Sequence, residues 1–256
     1  MKILVALKQV PARDSILEID SSGRTFNHTG LQSEINEPDA YALEAALQLK
    51  DQQGGEVVVL CAGPEEAASS IREALAKGAD RALHVLDDTL EEWDPLSLAR
   101  LLAKAAETES PDLILTGLQS DDTGSGQTGV LIASLLGMAH ATIVMKIEVN
   151  GRTLKVKREL EGGWFQYVSM PLPAVLTVQS GINKLRYATL MGIKKAKSKE
   201  VKTLTSKSLG VPAGHKVVLE RLSLPRKSKE TVMLAGSPAE QAAQLVEKLK
   251  FEVKAL

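Results

Sequence analysis

Six consecutive residues, Gly124-Ser125-Gly126-Gln127-Thr128-Gly129, are the stretch of this chain whose types and spacing best suit chemistry. They follow a short apolar run at 113–116 and lead into residues 127–136, whose apolar content and spacing predict a helix. The first N–H groups of a helix lack intrahelical partners and sit at the positive end of its dipole, so an anion placed there is stabilised. Gly124, Gly126 and Gly129 let the main chain approach that anion, while Ser125 and Thr128 add hydroxyl donors. Phosphate binding is the chemistry this predicts. Asp121 and Asp122 oppose a bare phosphate but suit a ribose hydroxyl, or simply cap the turn. A glycine-rich strand-to-helix turn that binds nothing has the same appearance.

Other chemistries find no support. His28, His84, His140 and His215 are far apart, no Cys/His spacing suits zinc, and each histidine is expected at the surface or an edge. Cys61 falls in an apolar, β-branched run and is expected to be a buried strand residue rather than a nucleophile. Gly-x-Ser-x-Gly and Walker patterns are absent, and although residues 124–129 spell Gly-x-Gly-x-x-Gly, they lie far from the first strand where the dinucleotide fingerprint belongs. The chain reads as a binder without a catalytic constellation.

Composition bounds what the loop can belong to. With 256 residues, 44% hydrophobic and 25% charged, the chain can bury one α/β core and carry an extension. Thirty-one basic residues against 32 acidic ones give a net charge of -1, which argues against nucleic acid as a partner. A single cysteine excludes an internal disulfide and fits a reducing compartment. The opening apolar run is too short for a signal peptide and no stretch is long enough to span a bilayer, so a cytoplasmic location without stable membrane insertion is expected. Only 3% of residues are aromatic, so a bound ring must be held mostly by backbone and aliphatic groups.

The elements that must position the loop follow from periodicity. Residues 2–7 form a strand stopped by Pro11, and a small hairpin is expected around Ser22-Gly23. Asn36 is an N-cap candidate for a helix with Pro38 in its first turn, closed by Gly54-Gly55. Strands at 57–61 and 82–86 alternate with helices at 65–76 and from Asp94-Pro95 to about 107. This alternation predicts a parallel, doubly wound sheet of Rossmann-like α/β type. Beyond Gly137 the β-prone runs 141–149, 153–159, 165–170 and 174–179, with Asn150-Gly151 as a hairpin signal, predict added antiparallel strands. From residue 183 onward there is no comparable core pattern. Lys194, Lys195, Lys197, Lys199 and Lys202 form a basic run, and only 238–251 regains helical spacing, so this tail is expected to bury its apolar groups against a partner chain. The expected division is therefore an α/β nucleotide-binding domain at 1–182 and an extended C-terminal arm at 183–256.

A longer set of motifs brings in a family. Val156-Lys157-Arg158-Glu159-Leu160-Glu161-Gly162-Gly163, Leu172-Pro173-Ala174-Val175-Leu176-Thr177-Val178-Gln179, Gly181-Ile182-Asn183 and Arg186-Tyr187-Ala188-Thr189-Leu190 with Ile193 resemble the signature of electron-transfer flavoprotein β subunits. Leu4-Val5-Ala6-Leu7-Lys8-Gln9-Val10-Pro11, the Asn36 segment, Gly78-Ala79-Asp80-Arg81-Ala82 and Gly126-Gln127-Thr128-Gly129 extend the likeness over about residues 1–202. The resemblance implies a heterodimer with an α subunit, one FAD held mostly by that subunit, and AMP buried in this chain. It implies that Ala6, Lys8, Asn36, Ala62, Asp122, Ser125, Gly126, Gln127 and Thr128 surround the nucleotide, and that Glu159 contacts the α subunit near the flavin. Tyr187, Leu190, Ile193, Lys194, Lys195 and Lys197 match the loop that docks acyl-CoA dehydrogenases and other flavin dehydrogenases. The function implied is electron transfer, as in fatty acid β-oxidation, from those dehydrogenases to a membrane-linked quinone reductase.

Three departures bear on these expectations. Ala12 stands where many members have Asp, Gly126 where many AMP-binding members have Asn, and Lys184-Leu185 replaces a more usual Glu-Pro or Lys-Pro. One branch of the family binds a second FAD in place of AMP and bifurcates electrons, with a loop that typically reads Gln-Val-Gly-Pro; Gln127-Thr128-Gly129-Val130 differs, and its hydroxyl favours a terminal phosphate. A nucleotide-sensing or nucleotide-hydrolysing α/β protein would account for the glycine loop but not for residues 158–193. A structural subunit that has lost its nucleotide would account for Gly126 and Asp121.

Overall fold

The opening apolar run is a strand, β1 (Lys2–Leu7), whose alternate side chains enter two different cores. The computed structural model describes residues 1–90, 93–212, 214–225 and 231–255. Along the chain follow β2 (Gln9–Pro11), β3 (Ser33–Ile35), α1 (Glu37–Gln53), β4 (Glu56–Gly63), a 3-10 turn (Glu65–Ala67) running into α2 (Ala68–Lys77), β5 (Arg81–Leu86) and α3 (Pro95–Glu107). Next come β6 (Leu113–Gly117), α4 (Thr128–Leu136), β7 (Ala139–Asn150), β8 (Thr153–Glu159), β9 (Phe165–Pro171), β10 (Ala174–Val178), α5 (Leu190–Ala196), β11 (Val201–Leu204) and α6 (Pro238–Glu247).

Among the described residues, nine strands form one sheet in the order β11-β5-β4-β1-β6-β10-β7-β8-β9, and β2 pairs with β3 in a small antiparallel one. The fold is Rossmann-like α/β, as the alternation of elements predicts. Period-two alternation divides its strands between two layers of helix. Ile3, Val5, Val59 and Leu115 pack against α1 and α2, and Leu4, Val58, Leu60 and Ile114 against α3 and α4. Fully burying one leucine, as at Leu43 or Leu47 of α1, contributes roughly 1.5–3 kcal/mol.

β7, β8 and β9 form the expected antiparallel ribbon, turned at Asn150-Gly151 with Gly151 at φ 58. β10 departs from that expectation. It returns to the middle of the sheet and runs parallel to both β6 and β7. All five of its residues are buried, and a strand covered on both faces takes this uninterrupted apolar pattern. His84 also departs from expectation: it is buried in β5, with Nε2 3.2 Å from the Gly63 carbonyl oxygen. Cys61 is buried in β4, and burial with the nearby Asp39 charge pushes its thiol up to about 12.

The chain divides into two units, Met1–Glu220 and Arg221–Leu256. Residues 183–220 belong to the first, where β11 extends the sheet beside β5 and Leu185, Leu204, Leu209 and Val211 pack on this chain's own cores. Asp94 fastens their end. One oxygen caps α3 by accepting the Ser97 N–H at 2.8 Å, and the other accepts the N–H groups of Lys216 and Val217. These donors hold the Asp94 carboxyl down to about 2. In the second unit, α6 starts with a capping box: Glu240 accepts from the Ser237 N–H at 2.7 Å while Ser237 Oγ accepts from the Glu240 N–H. Residues 213, 226–230 and 256 of the expected arm lie outside the described residues.

Candidate functional site

The ladder between β1 and β6 pairs Ile3 with Leu113, Leu4 with Ile114 and Val5 with Leu115, and then stops. Both strands run on, to Leu7 and Gly117. From β1 the chain winds through β4 to β5 on one side of the sheet and resumes at β6 on the other. Ligands of open α/β sheets bind in the crevice beyond such a switch point.

Residues of three segments close around this crevice. Lys8, just past β1, reaches across to the loop after β6, its Nζ 2.7 Å from Asp122 Oδ1. Burial would raise the Asp122 carboxyl, but the Lys8 ammonium together with the Ser120 hydroxyl and the Thr123 N–H outweighs it and holds the group below its usual range. Asn36 is buried, yet its side chain does not cap α1 as expected. Its Nδ2 donates to the Gln119 carbonyl at 3.0 Å and its Oδ1 accepts from the Asp121 N–H at 2.9 Å. Asp121 returns the favour to the helix, its carboxylate accepting the Glu37 N–H at 3.4 Å. The buried amide is worth more as a strut for the loop because it alone can satisfy an inward-facing carbonyl and an inward-facing N–H together.

Asp39 is the residue that sequence reasoning missed. It lies in the first turn of α1, buried, and its carboxylate accepts the N–H groups of Lys8 and Gly117, each at 2.8 Å. Burial pushes this carboxyl up to about 7, and the two N–H donors offset only part of the effect. The available signal was a carboxylate followed closely by Ala40, Ala42 and Leu43, on the side of the helix that had to be buried.

The glycine loop is placed as its spacing predicts, between β6 and α4. Gly124 and Gly126 have φ 60 and 64, the left-handed region that favours glycine. α4 begins at Thr128 with no side chain capping its N-terminus, which leaves its first N–H groups facing the loop. Gly129 serves packing instead of anion approach: a Cβ there would lie 2.6 Å from Thr116 Oγ1 and from Thr177 Cγ2, so glycine lets α4 sit directly on β6 and β10. Ala6 and Ala62 are half-buried near the ends of the adjacent strands β1 and β4, while Ser125 and Gln127 are exposed. A cavity of ≈ 160 Å³ opens between Arg13 and Glu34 on one wall and Asp121 and Asp122 on the other. The donor set fits a nucleotide: ammonium, helix N–H groups and hydroxyls for phosphate, carboxylates for ribose.

The residues expected to dock a partner gather elsewhere. Tyr187, Leu190, Ile193, Lys194, Lys195 and Lys197 all lie exposed on or beside α5. Beneath them the segment is anchored by groups whose anchoring role the sequence does not reveal. Arg186 donates to both oxygens of Glu44, at 2.7 and 3.2 Å, and to Asp51 at 2.9 Å. Asn183 donates to the Tyr41 carbonyl, and Lys199 to the carbonyls of Leu75 and Ala79 at the end of α2. A Cβ at Gly192 would lie 2.3 Å from the Ala76 carbonyl oxygen, so only glycine allows α5 this close to α2. Glu159 joins neither group: it ends β8, separated from β1 in the sheet by β6, β10 and β7.

Among the described residues no cluster of three or more His, Cys, Asp or Glu is placed to hold a metal ion, and no helix is long and apolar enough to cross a membrane. The fold and the crevice define a Rossmann-like α/β protein with an open switch point and, apart from it, an apolar, cationic helix presented at the surface. The family model for the electron transfer flavoprotein domain matches residues 24–209. The chain is 38% identical to the electron transfer flavoprotein subunit beta of Methylophilus methylotrophus, over 96% of this chain and 97% of that one. It is 38% identical to that of Bradyrhizobium diazoefficiens and 34% to that of Bacillus subtilis, each over 100% of both chains. The chain belongs to the electron transfer flavoprotein family, and these relatives are its beta subunits.

Proposed function

We propose that this chain pairs with an α subunit to form an electron-carrying heterodimer, holds AMP in the β1–β6 crevice, and receives flavin dehydrogenases at α5. Acyl-CoA dehydrogenases are the donors in this reading, a membrane-linked quinone reductase is the acceptor, and the cytoplasm is the location. FAD, held mostly by the α subunit, supplies the redox chemistry, so this chain acts as a carrier subunit and not as an enzyme in its own right. The single observation that carries the reading is the match to beta subunits along essentially the whole chain.

The geometry supports the nucleotide crevice and the docking helix. Lys8 and the uncapped start of α4 offer charge and N–H donors to the phosphate, with the Thr128 hydroxyl beside them. Asp122, oriented by Lys8, offers an acceptor to the ribose. Leu190 is 82% exposed on a helix whose base is fixed, which suits an apolar anchor entering a partner's pocket. Lys194, Lys195 and Lys197 would steer an acidic surface towards it, with a rate that falls as salt rises. Glu159 and the exposed Trp164, Phe165 and Tyr167 on the antiparallel ribbon suit contact with the α subunit, as do the exposed Leu245, Val246 and Phe251 of the second unit.

Coexpression with the α subunit and mass spectrometry of the released ligands test the reading. One flavin and one AMP per heterodimer is the expected result. Two flavins would replace AMP by a second FAD, and a colourless chain that forms no heterodimer would overturn the carrier altogether.

A further inference from the structure

The nucleotide reading gives the buried Asp39 carboxylate no task. Asp39 is 6% exposed and stands where β1 and β6 separate. The ladder ends at Val5 and Leu115, and beyond it Oδ2 accepts the Lys8 N–H while Oδ1 accepts the Gly117 N–H. The carboxylate thus satisfies two backbone donors that the diverging strands no longer satisfy for each other. Gly117 makes room for it, since a Cβ there would lie 2.5 Å from Asp39 Oδ1. Each strand end that it holds carries one wall of the crevice. On the first is Lys8 with its ion pair to Asp122, and on the second the chain leads through Gln119 and Asp121, which Asn36 braces.

We propose that Asp39 is a positioning residue for the nucleotide, an ionised clasp that sets the spacing of both crevice walls, so that nucleotide affinity is coupled to a single proton on its carboxyl group. This rests on the nucleotide reading given above. Only the carboxylate accepts at both oxygens; the acid turns one of them into a donor that faces an N–H, and one strand end is released. Three polar or titratable side chains lie near it. The Lys8 ammonium faces it from the end of β1, the Asn36 amide lies on its own helix, and the Cys61 thiol faces it from β4, where burial keeps that thiol neutral. With burial raising the carboxyl to about 7, the clasp is ionised above that pH and protonated as the pH falls through it. Affinity must then weaken in the same direction.

Adenosine and AMP binding to the nucleotide-stripped heterodimer, measured by equilibrium dialysis from about pH 5.5 to about pH 8.5, tests the clasp. Adenosine isolates the protein's proton, because the phosphate of AMP itself titrates near about 6. Wild type should lose up to about tenfold in adenosine affinity per pH unit below about 7. Asp39→Asn should bind AMP at least about tenfold more weakly at the alkaline end and give a flat adenosine profile. Gly117→Ala, whose Cβ would crowd the Asp39 carboxylate together with Pro38 and the Asp39 backbone N, keeps the carboxyl but shifts it from its seat; it should also weaken AMP at alkaline pH, and unchanged affinity there overturns the clasp. A wild-type adenosine profile that is flat overturns the proposal even if Asp39→Asn fails to assemble, and leaves the nucleotide reading standing. Wild type that binds AMP at no pH overturns both.

Discussion

The crevice and the α5 segment use hydrogen bonds to opposite ends. Around the crevice, Asn36 and Asp39 turn inward and, with Asp122 accepting the Thr123 N–H, fix the backbone that a small ligand would touch. Around α5 the inward groups, Asn183, Arg186 and Lys199, fix only the base, while Tyr187, Leu190 and Met191 stay 93%, 82% and 66% exposed. A small ligand is selected by atoms held in place before it arrives. A macromolecular partner can be met by a rigid base with an apolar tip that becomes buried only in the complex. One helix serves both ends. α1 offers Asn36 and Asp39 to the crevice, and Tyr41, Glu44 and Asp51 to the docking segment.

If the two regions are separate in this way, substitutions along α1 and its partners should divide cleanly. Arg186→Ala is expected to act most strongly on stability, because Glu44, whose side chain is 6% exposed, loses its bidentate partner. A loss of about 3 kcal/mol in chemical denaturation is expected, the low end for a broken buried pair since the guanidinium is one-third exposed, with AMP affinity unchanged. Asn36→Ala should cost about 2 kcal/mol by leaving the Gln119 carbonyl and Asp121 N–H unpaired, and should weaken AMP by about tenfold. If Arg186→Ala impaired AMP as much as Asn36→Ala does, the distinction between the regions would collapse. Leu190→Ala is the mildest: denaturation should move by no more than about 0.5 kcal/mol, since so exposed a side chain packs on little. Its effect should appear only in the electron-transfer rate from a dehydrogenase, and an unaltered rate would remove α5 as the docking element.

Much of this was legible in the order of residues. Period-two runs, Pro38 and Pro95 in first turns, and Gly54 as a stop located the alternating elements, because each signal acts within a few residues of itself. The strand–glycine loop–helix unit was equally local, and so was the Asn150-Gly151 turn. Other features were hidden because their partners are remote. Asn36 meets residues 83 and 85 positions away, and Asp39 meets Gly117 at a separation of 78. Gly129 looks like a ligand glycine until Thr177 is seen against it.

Local chemistry therefore fixed which segments are strand, helix or turn, and an ordered set of motifs fixed the family. The position of β10 between β6 and β7, the burial of His84, and the seat of Asp39 between two strand ends came only with the folded chain. Propensity is a property of neighbours along the backbone, whereas strand pairing and the burial of a charge depend on groups that folding alone brings together.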